Sequence, residues 1–179
     1  MRKLPQQDNE NQPLIIIISG PSGVGKDAVI KRMKELKKPY NFIVTATTRP
    51  SRPNEADGID YVFLSTREFK QRIQTGDFLE WAKVYSHYYG TSKKALADSL
   101  STGKDTIIKT DVQGAKSIKK LLPQGIFIFI MPPSNEELSR RINRRKTETL
   151  KEIDLRLATA KREVKEAVHF DHVVVNEIN

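Results

Sequence analysis

Leu14-Ile-Ile-Ile-Ile-Ser-Gly-Pro-Ser-Gly-Val-Gly-Lys26 is the stretch from which the fold can be read. The β-branched run that ends at Ser19-Gly20 suits a parallel strand buried on both faces. It passes directly into Gly20-Pro-Ser-Gly-Val-Gly-Lys26, a GxxxxGK spacing, and then into a helical stretch from Ala28 to Leu36. Strand, glycine-rich turn and helix together make this spacing specific for phosphate binding. The glycines let successive backbone N–H groups face inward as a nest, the helix start adds positive potential, and Lys26 brings a point charge to the β/γ oxygens of a nucleotide. Ser22, Gly23, Val24, Gly25, Lys26, Asp27 and Ala28 are therefore the expected donor-nucleotide ligands. The motif normally closes on Ser or Thr, whose hydroxyl holds Mg²⁺. Here Asp27 takes that place. It is either a carboxylate facing Mg²⁺, directly or through water, or a charge stabilised at the first helical turn by the helix dipole.

Outward from this stretch, apolar strand candidates recur at Thr106–Ile108, Ile126–Met131 and His172–Val175. Helical patterns at Ala115–Leu122, Glu136–Arg145 and Leu150–Ala167 separate or flank them. That alternation predicts a three-layer α/β/α fold of the P-loop NTPase type, built on a parallel sheet. Between Phe42 and Tyr89 the pattern changes. Short alternating pieces (Phe42–Thr45, Tyr61–Leu64, Phe78–Tyr85), a Pro-rich loop Thr48-Arg-Pro-Ser-Arg-Pro53 and one helix, Thr66–Thr75, predict an inserted small mixed α/β subdomain with antiparallel strands. The expected organisation is an arm at residues 1–13, a core of 14–44 and 92–179 and an insert of about 45–91.

Composition narrows the class of function. With 179 residues, 37% hydrophobic and 30% charged, the chain has the make-up of a globular domain. It contains no cysteine, which excludes a disulfide scaffold, thiolate metal sites and cysteine nucleophiles. Apolar runs such as Leu14–Ile18 are far short of the roughly 20 residues that cross a bilayer. The first thirteen residues mix Arg2 and Lys3 with Asp8 and Glu10 and resemble neither a secretory signal nor an Arg-rich transit peptide. A cytoplasmic protein is expected, or a processed plastid or mitochondrial one. The net charge of +9 favours anionic partners. Lys and Arg are spread out, with only Arg140–Lys146 dense, and charge alone does not choose among nucleic acid, an anionic membrane face and phosphorylated small molecules. Taken with the motifs, the expected partners are phosphorylated small molecules, with no nucleic acid and no membrane, and the expected state is a monomer or weak homodimer.

A second phosphate site is legible in the insert. Arg49 and Arg52 stand three residues apart on a proline-stiffened loop, and Tyr61, Tyr89 and Thr91 add hydroxyl donors. Guanidinium forks match phosphate bidentately. Phe78-Leu-Glu80-Trp81 sets a carboxylate among large apolar residues, where it serves either as an ion-pair partner or as acceptor for the N1 and N2 donors of guanine. Asp111, at the end of a strand-like run, either caps the following helix or holds Mg²⁺ through water.

These residues carry a resemblance to the guanylate kinases, which make GDP from ATP and GMP. It spans nearly the whole chain: Ser19–Lys26, Thr45-Ala-Thr-Thr-Arg-Pro-Ser-Arg52, Gly58-Ile-Asp-Tyr61, Phe78-Leu-Glu-Trp81, Tyr88-Tyr-Gly-Thr91, Asp111-Val-Gln-Gly114 and Val173-Val-Val-Asn176. The resemblance implies ATP as phosphoryl donor with Mg²⁺, the latter at Asp27 and Asp111. It implies that Arg49, Arg52, Tyr61 and Tyr89 bind the GMP phosphate, and that Thr45, Glu80 and Thr91, with Gly90 between them, meet the guanine. Asn176 would lie near the adenine, and Arg141, Arg145 and Arg156, on a helical lid of about 140–156, would close over the phosphates, so that Lys26, Arg49, Arg145 and Arg156 carry the transfer. Two departures stand out. Lys109 occupies a position, two before Asp111 and facing the acceptor site, where the family usually has an acid. The lid turn reads Arg145-Lys-Thr147 in place of Arg-Gly-Thr. Both, with Gly25-Lys-Asp27, resemble the plastid and mitochondrial guanylate kinases of plants. The competing expectations are a sugar-phosphate kinase acting on ribose 1,5-bisphosphate, which shares the Gly-Lys-Asp ending, and a non-catalytic guanylate-kinase-like binding module.

Overall fold

The computed structural model describes residues 12–143 and 150–177. The expected arm, except Gln12 and Pro13, lies outside the described residues, as do the lid turn and Arg145.

The isoleucine run forms β1 (Ile15–Ser19), the central strand of a five-stranded parallel sheet. Its neighbours are β7 (Thr106–Lys109) and β8 (Ile126–Met131), with Ile17 opposite both Ile108 and Phe127. The edges are β2 (Asn41–Ile43) and β9 (His172–Val175), which gives the order β2-β7-β1-β8-β9. Successive residues of a strand face opposite sides of a sheet, so an unbroken apolar run supplies two cores. Ile18, Ile107 and Ile130 pack on one face with Val24, Leu138, Ile142 and Ala160. Ile17, Ile108 and Phe127 pack on the other with Leu96, Ala115 and Ile118. Helix α1 (Lys26–Glu35) follows the glycine turn, α4 (Val112–Leu121) follows β7, and α5 (Asn135–Asn143) and α6 (Leu150–Val164) pack on each other beyond β8.

The insert carries its own four-stranded sheet, ordered β4-β3-β6-β5 from β3 (Ala46–Thr47), β4 (Val62–Phe63), β5 (Phe78–Val84) and β6 (His87–Ser92). Helix α2 (Thr66–Gln74) covers it, started by a capping box between Ser65 and Glu68. Its Phe69 is fully buried and stacks on Phe78 and Tyr88 with centroids 4.4 and 5.4 Å away. The expectation of antiparallel strands needs two corrections. β3 and β4 pair in parallel, so this sheet is mixed. The Phe42–Thr45 piece also divides: Asn41–Ile43 joins the parallel sheet beside β7, because Phe42 and Ile43 continue its two apolar cores. The sequence patterns also passed over α3 (Lys93–Leu100), which Ser92 caps through the Ala95 N–H, and the strand β6.

Candidate active site

The C-terminal ends of β1 and β7 and the inner face of the second sheet border a cleft of about 700 Å³. Ligands of open α/β sheets bind outside the carboxyl ends of the strands, and the residues gathered here fall into two groups.

At one end is the glycine turn. Gly25 has φ 98°, and a Cβ there would meet Asn176 Nδ2 at 2.5 Å, so only glycine lets the turn lie against the strand-end residue behind it. Asn176 Nδ2 and Arg141 Nη1 donate to the Val24 carbonyl at 2.8 and 3.1 Å, while the Val24 side chain is buried in the core. Arg141 also holds Glu137 (Nε–Oε1 2.6 Å) and the Asn176 carbonyl (3.2 Å). Arg156 donates to Ser22 Oγ from Nη2 at 3.0 Å. Ser22 N–H in turn donates to Glu163 Oε2 at 3.0 Å. Lys26 Nζ donates to the Gly20 and Pro21 carbonyls at 2.6 and 3.0 Å. Burial pushes the Lys26 ammonium below its ordinary range, against the carboxylates of Glu163, Asp27 and Asp111. Gly23 lines the cleft, and Ala28 sits on the exposed side of the first turn of α1.

At the other end Arg49 reaches both oxygens of Glu55 (2.8 and 2.9 Å), and Arg52 contacts the same carboxylate at 3.4 Å. The Arg49 guanidinium lies 5.3 Å from the Tyr61 ring centroid, which stands 6.2 Å from that of Tyr89. The Thr45 hydroxyl donates to the Lys109 carbonyl at 3.0 Å. Behind them Glu80 is 5% exposed and accepts from Thr91 Oγ1 at 2.8 Å and Thr110 Oγ1 at 3.4 Å. Its side-chain partners among the described residues are hydroxyls, with no cation paired to it there. Desolvation, with the charge of Asp111 added, raises its carboxyl to about 7, even though the two hydroxyls work against the rise. Gly114 makes this approach possible, since a Cβ there would stand 2.7 Å from Glu80 Oε2. Gly90, opposite Trp81 on the neighbouring strand, is not among the residues that line the cleft; the space above its Cα is filled by Phe69 and Phe78 of the insert's core.

Asp111 stands at the start of α4 and lines the cleft. Oδ1 caps α4 by accepting from Gly114 N–H at 2.7 Å, and Oδ2 is buried without a hydrogen-bond partner among the described residues. Asp27 pairs with Lys109 and receives a long hydrogen bond from the Tyr61 hydroxyl, 3.4 Å. Burial would raise the Asp27 carboxyl, but the Lys109 ammonium outweighs it and holds it below the usual carboxylate range. Lys109 is correspondingly raised: burial is overcome by Tyr61 and Asp27.

The family model for guanylate kinase matches residues 12–178. The chain belongs to the guanylate kinase family. It is 45% identical over 168 residues to the guanylate kinase of Caldanaerobacter subterraneus subsp. tengcongensis, covering 94% of this chain and 82% of that one. To guanylate kinase 2, chloroplastic/mitochondrial, of Oryza sativa subsp. japonica it is 46% identical over 166 residues, 92% of this chain and 58% of the relative. The crystal structure of guanylate kinase from Anaplasma phagocytophilum superposes with a TM-score of 0.76 at 32% identity, over 94% of this chain and 79% of that chain. The P-loop α/β fold expected from the isoleucine run is therefore the guanylate kinase fold.

Three side chains of this guanylate kinase site were missed in the sequence. Glu55 anchors both arginines, and its only signal was an acid three residues after Arg52. Glu163, on the Ser22 N–H, lies too far along the chain for any local spacing to reveal it. Tyr85, at the tip between β5 and β6, lines the cleft with φ 56° and a buried hydroxyl lacking a hydrogen-bond partner among the described residues. A bulky residue in that region of backbone space marks strain of the kind found at functional sites.

Proposed function

We propose that this protein transfers the γ-phosphate of ATP to GMP or dGMP, giving ADP and the nucleoside diphosphate. One observation carries the reading. A single cleft has a backbone nest with Lys26 at one end and two arginines with two tyrosine hydroxyls at the other, and a buried carboxylate lies behind the second group. Phosphoryl transfer asks a protein for alignment and charge neutralisation rather than covalent chemistry. Lys26 exchanges the Gly20 and Pro21 carbonyls for the β/γ oxygens, and Arg49 with Arg52 grips the acceptor phosphate. Arg156, already on Ser22, steadies the transferring group together with Arg145 and Arg141. Ionised Glu80, with Thr45 and Thr91 beside it, accepts from guanine N1 and N2. A sugar phosphate would leave that carboxylate desolvated and unused.

The donor set also fits Mg²⁺. Asp111 Oδ2 is a buried oxygen without a hydrogen-bond partner among the described residues, and a cation held largely by phosphates and water needs only one or two carboxylates. Asp27, which lines the same cleft but is paired with Lys109, is the second and weaker candidate. The ion would neutralise the phosphate oxygens when bound. A monomer or weak homodimer is proposed as the working form. The place in metabolism is the phosphorylation of purine monophosphates. A cytoplasmic setting is proposed, with an organelle as the alternative that the rice relative's name suggests.

ADP formation with GMP, dGMP, AMP, UMP, CMP or ribose 1,5-bisphosphate as acceptor tests the reading. GMP-dependent turnover is expected. Turnover with the sugar bisphosphate alone, or GMP binding without turnover, would overturn it.

A further inference from the structure

Lys109 extends from the end of β7 to a point where three separate elements meet. Its ammonium pairs with Asp27 in the first turn of α1, donates to the Tyr61 hydroxyl of the insert at 3.0 Å, and lies 4.1 Å from the Tyr61 ring centroid. Only 14% of the Lys109 side chain is exposed, against 57% for Asp27. Such a lysine needs its charge answered where it sits. The chemistry of Tyr61 follows from this contact. An ammonium has donors only, so it fills a lone pair of the phenol oxygen and leaves the phenol proton to be given elsewhere. Among the described residues its acceptor is Asp27 Oδ1 at 3.4 Å, a long hydrogen bond to an oxygen that Lys109 holds more closely, so a phosphate oxygen at normal distance would be the better acceptor. The hydroxyl is thus free to turn its proton to a ligand in the cleft, where the Tyr61 ring lies 5.3 Å from the Arg49 guanidinium and 6.2 Å from the Tyr89 ring.

We infer that Asp27 and Lys109 act as one unit that positions Tyr61 as a hydrogen-bond donor to the acceptor phosphate, so that a residue on the donor-loop helix sets acceptor affinity. The inference rests on the proposed GMP reading, and it makes Lys109 and Asp27 positioning residues acting through Tyr61. It also accounts for an acid tolerated beside a phosphate nest: the acid is consumed in holding a cation that faces the other substrate.

Sign separates this from plain electrostatics. If Asp27 acted only as a negative charge near the cleft, neutralising it would tighten binding of a phosphate. If it pins Lys109, neutralising it weakens binding. The test is calorimetric titration of GMP, without ATP, into the wild type, Asp27→Asn, Lys109→Met, Lys109→Arg and the double variant Asp27→Asn/Lys109→Met, with thermal melts to confirm folding. Lys109→Met is expected to weaken GMP about tenfold and Asp27→Asn by a similar factor. The double variant should bind no worse than Lys109→Met, and Lys109→Arg should recover most of the affinity. Adding Tyr61→Phe to Lys109→Met should cost little more. Tighter or unchanged GMP binding in Asp27→Asn, or losses that multiply in the double variant, would overturn the inference while leaving GMP as the acceptor. Wild-type protein that fails to bind GMP would overturn both.

Discussion

The two ends of the cleft are built in opposite ways. The donor end is nearly continuous in sequence. Residues 20–28 supply backbone N–H groups and one lysine, held on a strand buried on both faces between two large apolar cores. The acceptor end is made of side chains from 45 to 91, and they meet only because a small sheet folds over Ala46, Phe69 and Phe78. A backbone site inherits the rigidity of its strand. A side-chain site depends on anchors such as Glu55 for Arg49 and Arg52, and on hydroxyls such as Thr91 for Glu80. The acceptor end should therefore be the more fragile and the more sensitive to pH.

The largest contrast is expected in turnover. Lys26→Met should lower kcat about a thousandfold with the KM for GMP unchanged. Arg49→Ala should cost roughly 10²- to 10³-fold and raise the KM for GMP as well. Steady-state kinetics in both substrates checks this, and near-normal turnover in a folded Arg49→Ala would remove that residue from the mechanism. Next in size, Phe69→Ala should destabilise the protein by about 3 kcal/mol, with a cavity opening under α2. Hydrogen exchange should then accelerate in β3 to β6 and leave β1, β7 and β8 protected; uniform acceleration would mean that the two ends are one cooperative unit.

Glu80 supplies the pH test. Its folded-state value is about 7 against 4.5 for the free side chain. The folded protein keeps this proton over a window in which the unfolded chain has lost it. Stability therefore falls as pH rises from about 4.5 to about 7, by about 3 kcal/mol in all, and levels off above. Glu80→Gln should flatten that slope in thermal melts. Guanine needs the ionised carboxylate, so GMP affinity should rise roughly tenfold between pH 6 and 8, with proton release measurable by titration in buffers of different ionisation enthalpy. A flat affinity profile would separate Glu80 from the base. The smallest effect is reserved for Glu55→Gln, expected to raise the KM for GMP by a few fold, because Arg49 loses the bidentate partner that pre-orients it. A lowered KM would show instead that Glu55 competes with the acceptor phosphate.

The same contrast explains what the sequence revealed. β1 and the donor turn could be read from residues 14–26 because one strand, one turn and one helix start are local structures with their own spacing. Phe42–Thr45 is too short for periodicity to say which sheet its strand joins; that depends on Thr106–Ile108, far along the chain. Arg49 and Arg52 stood out as a spaced pair, whereas Glu80, Thr91 and Thr110 form a group that nothing in the spacing of 80, 91 and 110 foretells. Lys109 and Asp27 looked like two unrelated departures until the fold placed one charge against the other.

The most direct test of two separately built ends serving one transfer is to follow a labelled γ-phosphate from ATP in a single turnover with GMP present. The account predicts label in GDP, with transfer abolished in Lys26→Met and slowed in Arg49→Ala. Label released as inorganic phosphate at the same rate with and without GMP would contradict it.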